Sequence, residues 1–148
     1  MSESHTSLSW TDHLDQVDWD ALAALYRVVA MGEKAPADLK VAFSNSMFRV
    51  FVLEAGRLVA AGRVLADGRD CAYLCDVAVL PGHQGQGLGK QIVEKLLHLS
   101  RAHRKILLYA VPGTEPFYER FGFRRMTTAM AIFENPAAAA ARGLLREA

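Results

Sequence analysis

From Trp19 to Ala30 the positions Leu22, Leu25, Tyr26 and Val29 recur at helical spacing, with Asp18 or Asp20 as the cap and Gly32 as the stop. After Pro36, a second short helix is marked by Leu39, Val41 and Phe43 and broken by Ser44-Asn45-Ser46. The first fifty residues therefore read as mostly helical. From Met47 the pattern changes. Phe48–Leu53 and Leu58–Leu65 flank a turn at Glu54-Ala55-Gly56, and a second turn follows at Asp67-Gly68, which together make an antiparallel meander. Cys71 to Leu80 is apolar apart from Asp76, the pattern of a strand covered on both faces, and Pro81-Gly82 ends it. Leu88, Ile92, Leu96 and Leu99 describe a helix with Lys90, Glu94 and Lys95 turned outward. A strand over Lys105–Val111, a short helix over Glu115–Phe121 stopped by Gly122, and a last strand over Phe123–Phe133 complete the pattern.

This order predicts an α/β fold: a mixed, mostly antiparallel central sheet flanked by helices, with its β-helix-β unit between Cys71 and Val111. The 148 residues, 51% hydrophobic and 22% charged, suit a single domain over 1–148 with a real core. Residues 135–148 form an alanine-rich tail, open between a terminal helix and a frayed end, to which no chemistry is assigned.

Charge and cysteine usage narrow the partners. Lys plus Arg total 17 against 16 acidic residues, a formal charge of +1, so no basic field is present to hold a nucleic-acid backbone. The opening Met1-Ser2-Glu3-Ser4-His5 has neither a basic nor an apolar leader region, and no apolar run reaches the ~18–20 residues of a bilayer span. A cytoplasmic protein with no membrane partner is expected. Cys71 and Cys75 on one extended strand would stand roughly 13 Å apart, beyond the ~7 Å limit of a disulfide. The five histidines form no ligand pattern, and no metal site is expected.

The chemistry gathers at His83-Gln84-Gly85-Gln86-Gly87-Leu88-Gly89-Lys90, between a strand and a helix. Successive backbone N–H groups there can surround a phosphate at the positive end of the helix dipole. The plainer alternative is that Gly82 and Gly85 only permit a tight turn with positive φ. Two nucleotide motifs fail on spacing. Gly85 and Gly87 are followed by Lys90 where a dinucleotide fingerprint needs its third glycine, and Gly89-Lys90 is followed by Gln91 where a Walker A loop needs Ser or Thr.

Gln84, Gly87 and Gly89 instead match Gln/Arg-x-x-Gly-x-Gly/Ala, which resembles the pyrophosphate loop of the GNAT superfamily of N-acetyltransferases. The preceding Asp76-Val77-Ala78-Val79-Leu80-Pro81 resembles that family's central strand. Pro116-Phe117-Tyr118-Glu119-Arg120-Phe121-Gly122-Phe123 is similar to its Phe-Tyr-x-x-x-Gly-Phe signature, especially in arylalkylamine N-acetyltransferases. Asp76 to Lys90 is also similar to small bacterial and plastid members related to serotonin N-acetyltransferase. The resemblance spans Trp19 to Phe133 and implies direct transfer of acetyl from acetyl-CoA to a primary amine of a small molecule. It also implies a homodimer.

By that resemblance, the backbone of Val77, Ala78 and Val79 holds pantetheine, while Gln84, Gly85, Gln86, Gly87, Leu88, Gly89 and Lys90 hold the pyrophosphate. Phe117 packs beside them, and Tyr118 is the general acid, protonated at neutral pH with an ordinary pKa near 10. Its plainer alternative is an amphipathic core tyrosine between Phe117 and Phe121. Where relatives carry Glu or His as base, this chain has Tyr73 and Cys75. Asp76 is the carboxylate of that strand, a candidate catalytic base, yet strand alternation turns it away from Cys75 unless a bulge intervenes, so a structural hydrogen-bond role stands beside the catalytic one. Deprotonation through water is a third route. Pro112-Gly113 replaces a family Asn. Acceptor contacts are expected over Phe43 to Phe48 and near Arg63. Two other functions compete: a non-catalytic acyl-CoA sensor, and acetylation of a protein N-terminus or lysine.

Overall fold

Alternation of apolar and polar positions builds the sheet of this protein, seen in a computed structural model that describes residues 7–147. The first five residues, on which the leader reading rests, lie outside the described residues. The chain divides into two units, one running to Leu108 and one beginning at Tyr109.

In the first unit, β1 (Leu8–Thr11), β2 (Phe48–Glu54), β3 (Arg57–Ala66), β4 (Cys71–Val79) and β5 (Lys105–Leu107) lie in that spatial order. The first three pairings are antiparallel and β4–β5 is parallel, so the sheet is mixed and mostly antiparallel as expected. The β2–β3 hairpin turns through Ala55 and Gly56, both with positive φ (49° and 76°), the handedness that follows strand twist. β1 was not legible in a stretch expected to be helical; four residues give alternation too little length to register.

Helix α1 (Trp19–Val28) starts at Asp18, whose side chain accepts from the Ala21 N–H at 3.1 Å. It stops earlier than expected. Ala30, not Gly32, turns left-handed first (φ 59°), and the Met31 N–H closes back onto the Tyr26 carbonyl at 2.9 Å. Helix α2 (Pro36–Ser44) buries Leu39 and Phe43 but leaves Val41 exposed, since only positions four apart share its inner face. Leu22, Leu25, Tyr26, Phe43, Phe51 and Ala61 form one core with these helices, and the Phe43 and Phe51 rings lie 5.2 Å apart. Truncating either ring to Ala would cost about 3–5 kcal/mol. Helix α3 (Leu88–Leu99) buries Leu88, Ile92, Val93 and Leu96. Ala61 belongs to the α1–α2 core, whereas its neighbour Gly62 meets Leu96 and Ile92, so the two layers take alternate residues of β3.

The second unit holds α4 (Glu115–Glu119) and α5 (Pro136–Ala141), the latter capped by Asn135 accepting from the Ala138 N–H at 3.0 Å. Two expectations are corrected here. The strand expected to Val111 ends at Leu107, and Phe123–Phe133 joins no ladder. Its alternation keeps the chain open, but a strand also needs a neighbour, and Met126, Met130 and Ile132 are turned to solvent.

Candidate active site

β4 does not run straight. Ala61 pairs with Ala78 and Arg63 with Cys75, so Asp76 and Val77 together face Gly62 alone. This is the bulge that the alternation argument had to allow for, and Asp76 adopts a left-handed backbone (φ 57°) within it. A non-glycine residue gives up about 1–2 kcal/mol there. The bulge turns the Asp76 carboxylate toward Arg63, whose Nε–H donates to Oδ2 at 2.7 Å, and Lys34 Nζ stands 3.9 Å from Oδ1. The Asp76 carbonyl accepts from the Tyr26 hydroxyl at 2.7 Å.

Burial and then the Asp76 charge push the Tyr26 phenol well above its usual range, so it remains a donor. Burial opposes the Arg63 charge, but neighbouring Cys75 and Asp76 more than restore it, and its pKa is raised. Burial pushes the Cys75 thiol up to about 12, against the lowering pull of Arg63. Cys75 is thus not a proton acceptor at neutral pH, as the residue type implied. The carboxylate of Asp76 faces two cations, Arg63 and Lys34. Both cysteines are free.

Beyond the bulge, the outer edge of β4 opens. β5 pairs only with Cys71, Ala72 and Tyr73, so the ladder on that side ends before Leu74. The turn after β4 is braced from two directions. Gln84 Nε2 donates to the Val79 carbonyl at 2.9 Å, and His83 Nε2 meets Glu54 Oε2 at 3.2 Å. Gln84 therefore holds the loop with its side chain, a use not foreseen for it.

Left-handed φ values fall at Gly85 (78°) and Gly87 (82°), not at Gly82, because Pro81–His83 winds as a short 3₁₀ turn. Among the described residues, no atom beyond the immediate chain neighbours lies within 4 Å of where a Cβ would stand on Gly82, Gly85 or Gly87, so the turn is an open cradle. Gly87 caps α3 without a side-chain bond, and no acid lies in the first turn. The first bond back into the helix is from the Gln91 N–H to the Gly87 carbonyl at 3.0 Å, which leaves the Leu88, Gly89 and Lys90 N–H groups ahead of it. Such a terminus suits an anion. Lys90 itself is exposed and stands 3.8 Å from Glu94.

Tyr118 belongs to the second unit. It is half-buried, with its ring edge-to-face on Phe117 at 5.0 Å and on Phe123 at 6.0 Å, and burial raises its pKa. Phe117 also meets Phe121 at 5.3 Å. Among the described residues no group of three or more His, Cys, Asp or Glu could hold a metal ion, and no helix is long and apolar enough to cross a membrane.

Residues 13–123 match the model of the acetyltransferase (GNAT) family, three quarters of the chain. The chain belongs to this family. Its sheet and helices are similar to those of a GNAT family acetyltransferase from Streptococcus pneumoniae, with a TM-score of 0.69 at 22% identity over 87% of this chain and 98% of that one, a likeness of fold. This GNAT chain is also 42% identical over 72 residues to histone acetyltransferase TAP1 of Glycine max. It is 42% identical over 71 residues to chloroplastic serotonin N-acetyltransferase 2 of Oryza sativa subsp. japonica. Each match takes in 47% of this chain, which covers only 31% and 36% of those two proteins.

Sequence reasoning named Arg63 only as an acceptor contact and missed Tyr26, Lys34 and Gly62. Tyr26 carried a usable signal: a tyrosine at an inward helical position must find a partner for its hydroxyl. Gly62 carried one as well, since a glycine inside a strand pattern marks a bulge or a close approach, whereas Lys34 carried none.

Proposed function

We propose that this GNAT chain is an acetyl-CoA-dependent N-acetyltransferase that passes the acetyl group directly to a primary amine of a small molecule. The observation that carries the reading is the open glycine cradle at the start of α3, directly after a strand whose outer edge is unpaired beyond Tyr73. An anion-binding turn beside free strand backbone fits a pyrophosphate with an amide-bearing arm. Val77, Ala78 and Val79 would hold the pantetheine arm by their backbone, and Gln84 through Lys90 the pyrophosphate. The acetyl thioester is the group that acetyl-CoA brings.

We assign Tyr118 the acid's part from its place in the Phe-Tyr-x-x-x-Gly-Phe signature; the phenol is protonated at neutral pH, as an ordinary tyrosine is, and burial keeps it so. Phe117 gives Tyr118 its packing surface. Of the roles weighed for Asp76 we take the structural one, and the proton of the incoming ammonium is then left to water. A small amine is supported by the similarity to the serotonin enzyme, while the balanced net charge of +1 favours neither a small nor a protein acceptor. We place the protein in the cytoplasm, where its free cysteines stay reduced, and as a homodimer through the exposed apolar residues of the second unit.

Calorimetric titration with acetyl-CoA tests this, beside a Gly87→Glu variant that sets a carboxylate in the cradle. Micromolar binding that the variant loses, with thiol released when small amines are added, is the expected result. Binding without thiol release from any amine would favour the sensor. Release only with peptides would favour a protein acceptor, and no binding by the unaltered protein would end the reading.

A further inference from the structure

The bulge at Asp76 is disfavoured by its own backbone. Aspartate tolerates a left-handed φ better than most residues, but none except glycine adopts it freely, and a bulge also forfeits ladder hydrogen bonds. A conformation of this kind persists only where its surroundings over-determine it. Here two elements hold two different groups of one residue. Tyr26, fully enclosed in α1 and fifty residues earlier in the chain, donates to the Asp76 carbonyl. Arg63, on the facing strand, donates to its carboxylate.

Arg63 is itself seated, with its guanidinium 5.6 Å from the Phe43 ring centroid and Nη1 3.4 Å from Ser46 Oγ. Lys34 adds a second positive charge at Oδ1 and lies 5.7 Å from the Tyr26 ring centroid. On the other face of the sheet, Gly62 leaves the space into which Val77 packs. The course of β4 after Asp76 is thereby determined from both layers.

We propose that Tyr26 and Arg63, acting through Asp76, are positioning residues that direct β4 beyond its bulge and so align the backbone of Val77, Ala78 and Val79 for acetyl-CoA. The inference rests on the cofactor reading above. It gives Asp76 a reason to be an acid in an otherwise apolar strand without making it the carrier of a proton. It also explains why a tyrosine, not a phenylalanine, occupies the inner face of α1.

The test is calorimetric titration with acetyl-CoA, joined to amide hydrogen exchange of the free protein, on the unaltered chain and on Tyr26→Phe, Arg63→Met and Arg63→Lys. Tyr26→Phe and Arg63→Met are expected to weaken binding at least tenfold, and Arg63→Lys to recover part of the loss. Exchange should quicken at Val77–Val79 while Ile92 and Leu96 in α3 keep their protection, a localised change that a general loss of stability does not produce. Should Tyr26→Phe fail to fold, Asp76→Asn takes its place, since asparagine keeps the left-handed backbone and gives up the charge, and the same localised change is expected. Binding within twofold across all variants, or quickening spread evenly over the fold, overturns the clamp and leaves the transferase reading standing. Absence of binding to the unaltered protein overturns that reading and the clamp with it.

Discussion

Gly62 and Val77 meet so closely on the α3 side of the sheet that a methyl group on the glycine would come within 3.2 Å of Val77 Cγ2. The same methyl would stand 3.0 Å from Leu96 Cδ1 and 3.1 Å from Ile92 Cγ2, all of them side-chain atoms in a packed layer. Overpacking of this kind costs about 1–3 kcal/mol. Gly62→Ala should therefore lower the melting temperature by several degrees. Because Val77 is among the atoms displaced, acetyl-CoA binding should weaken as well. A melting curve and an affinity both equal to those of the unaltered protein would show that the layer gives way without cost.

The turn between β3 and β4 is tied to the end of α3 through His103. The Gly68 N–H can only donate, so His103 Nε2 accepts it at 3.0 Å, and the proton must sit on Nδ1, which donates to the Ser100 carbonyl at 2.9 Å. With 3% of the side chain exposed, water cannot replace both bonds. His103→Ala should destabilise the protein by about 1–3 kcal/mol in denaturant unfolding. His103→Gln, whose side-chain oxygen can still accept from Gly68, should recover part of this. Equal losses in the two variants would show that ring packing on Phe48, not the hydrogen bond, is what His103 supplies.

How much of this was legible in the sequence depended on the range of the cause. The β2–β3–β4 meander and α3 show themselves because period-two and helical spacing are local and long enough to read. The glycine stretch was legible as a turn between strand and helix, and the structure adds that Gly85 and Gly87 carry its left-handed backbone. Asp76 was not legible in the same way. Its bulge is held by Tyr26 from α1 and by Arg63 across the strand pair, contacts that no window around residue 76 contains. The expected strand over Phe123–Phe133 failed for the converse reason: alternation describes one chain, whereas a ladder needs two.

Acid should reach the β3–β4 turn through Asp67. Its carboxylate accepts the N–H groups of Arg69 at 2.8 Å and Asp70 at 2.7 Å, and with that of Cys71 these lower its pKa from the usual 3.8 to about 2. A folded-state pKa below the unfolded one means that the unfolded chain takes up the proton first as pH falls. The contribution to stability is complete above about pH 4 and is lost between there and about pH 2. Melting curves of the unaltered protein and Asp67→Ala should differ by a constant gap above that window and converge below it. A gap that persists to pH 2 would contradict the assignment.

Cys75 should mark the alkaline side. Its folded thiol is pushed up to about 12 by burial, whereas the unfolded thiol ionises near 9.0. The unfolded chain therefore releases the proton first as pH rises, and stability is lost between about pH 9 and pH 12. Cys75→Ala should flatten this slope. Alkylation at pH 8 should label Cys75 slowly in the folded protein and rapidly after denaturation. Fast labelling in the folded state would mean that the thiol is neither buried nor protonated as described.

The second unit leaves Met130 at 97% and Ile132 at 102% relative exposure, two positions apart on an open stretch of chain that joins no ladder. Apolar side chains and unpaired backbone together invite a neighbouring strand or surface. A second copy presents the same stretch, and a two-fold arrangement closes on itself where other arrangements would grow into fibres. The double variant Met130→Lys with Ile132→Lys should therefore sediment as a monomer under conditions in which the unaltered chain sediments as a dimer. Its content of secondary structure should stay unchanged by circular dichroism, because neither side chain is buried within the chain itself. A dimer that survives both lysines would move the interface to another surface, and a monomer in both cases would remove the homodimer from the proposal.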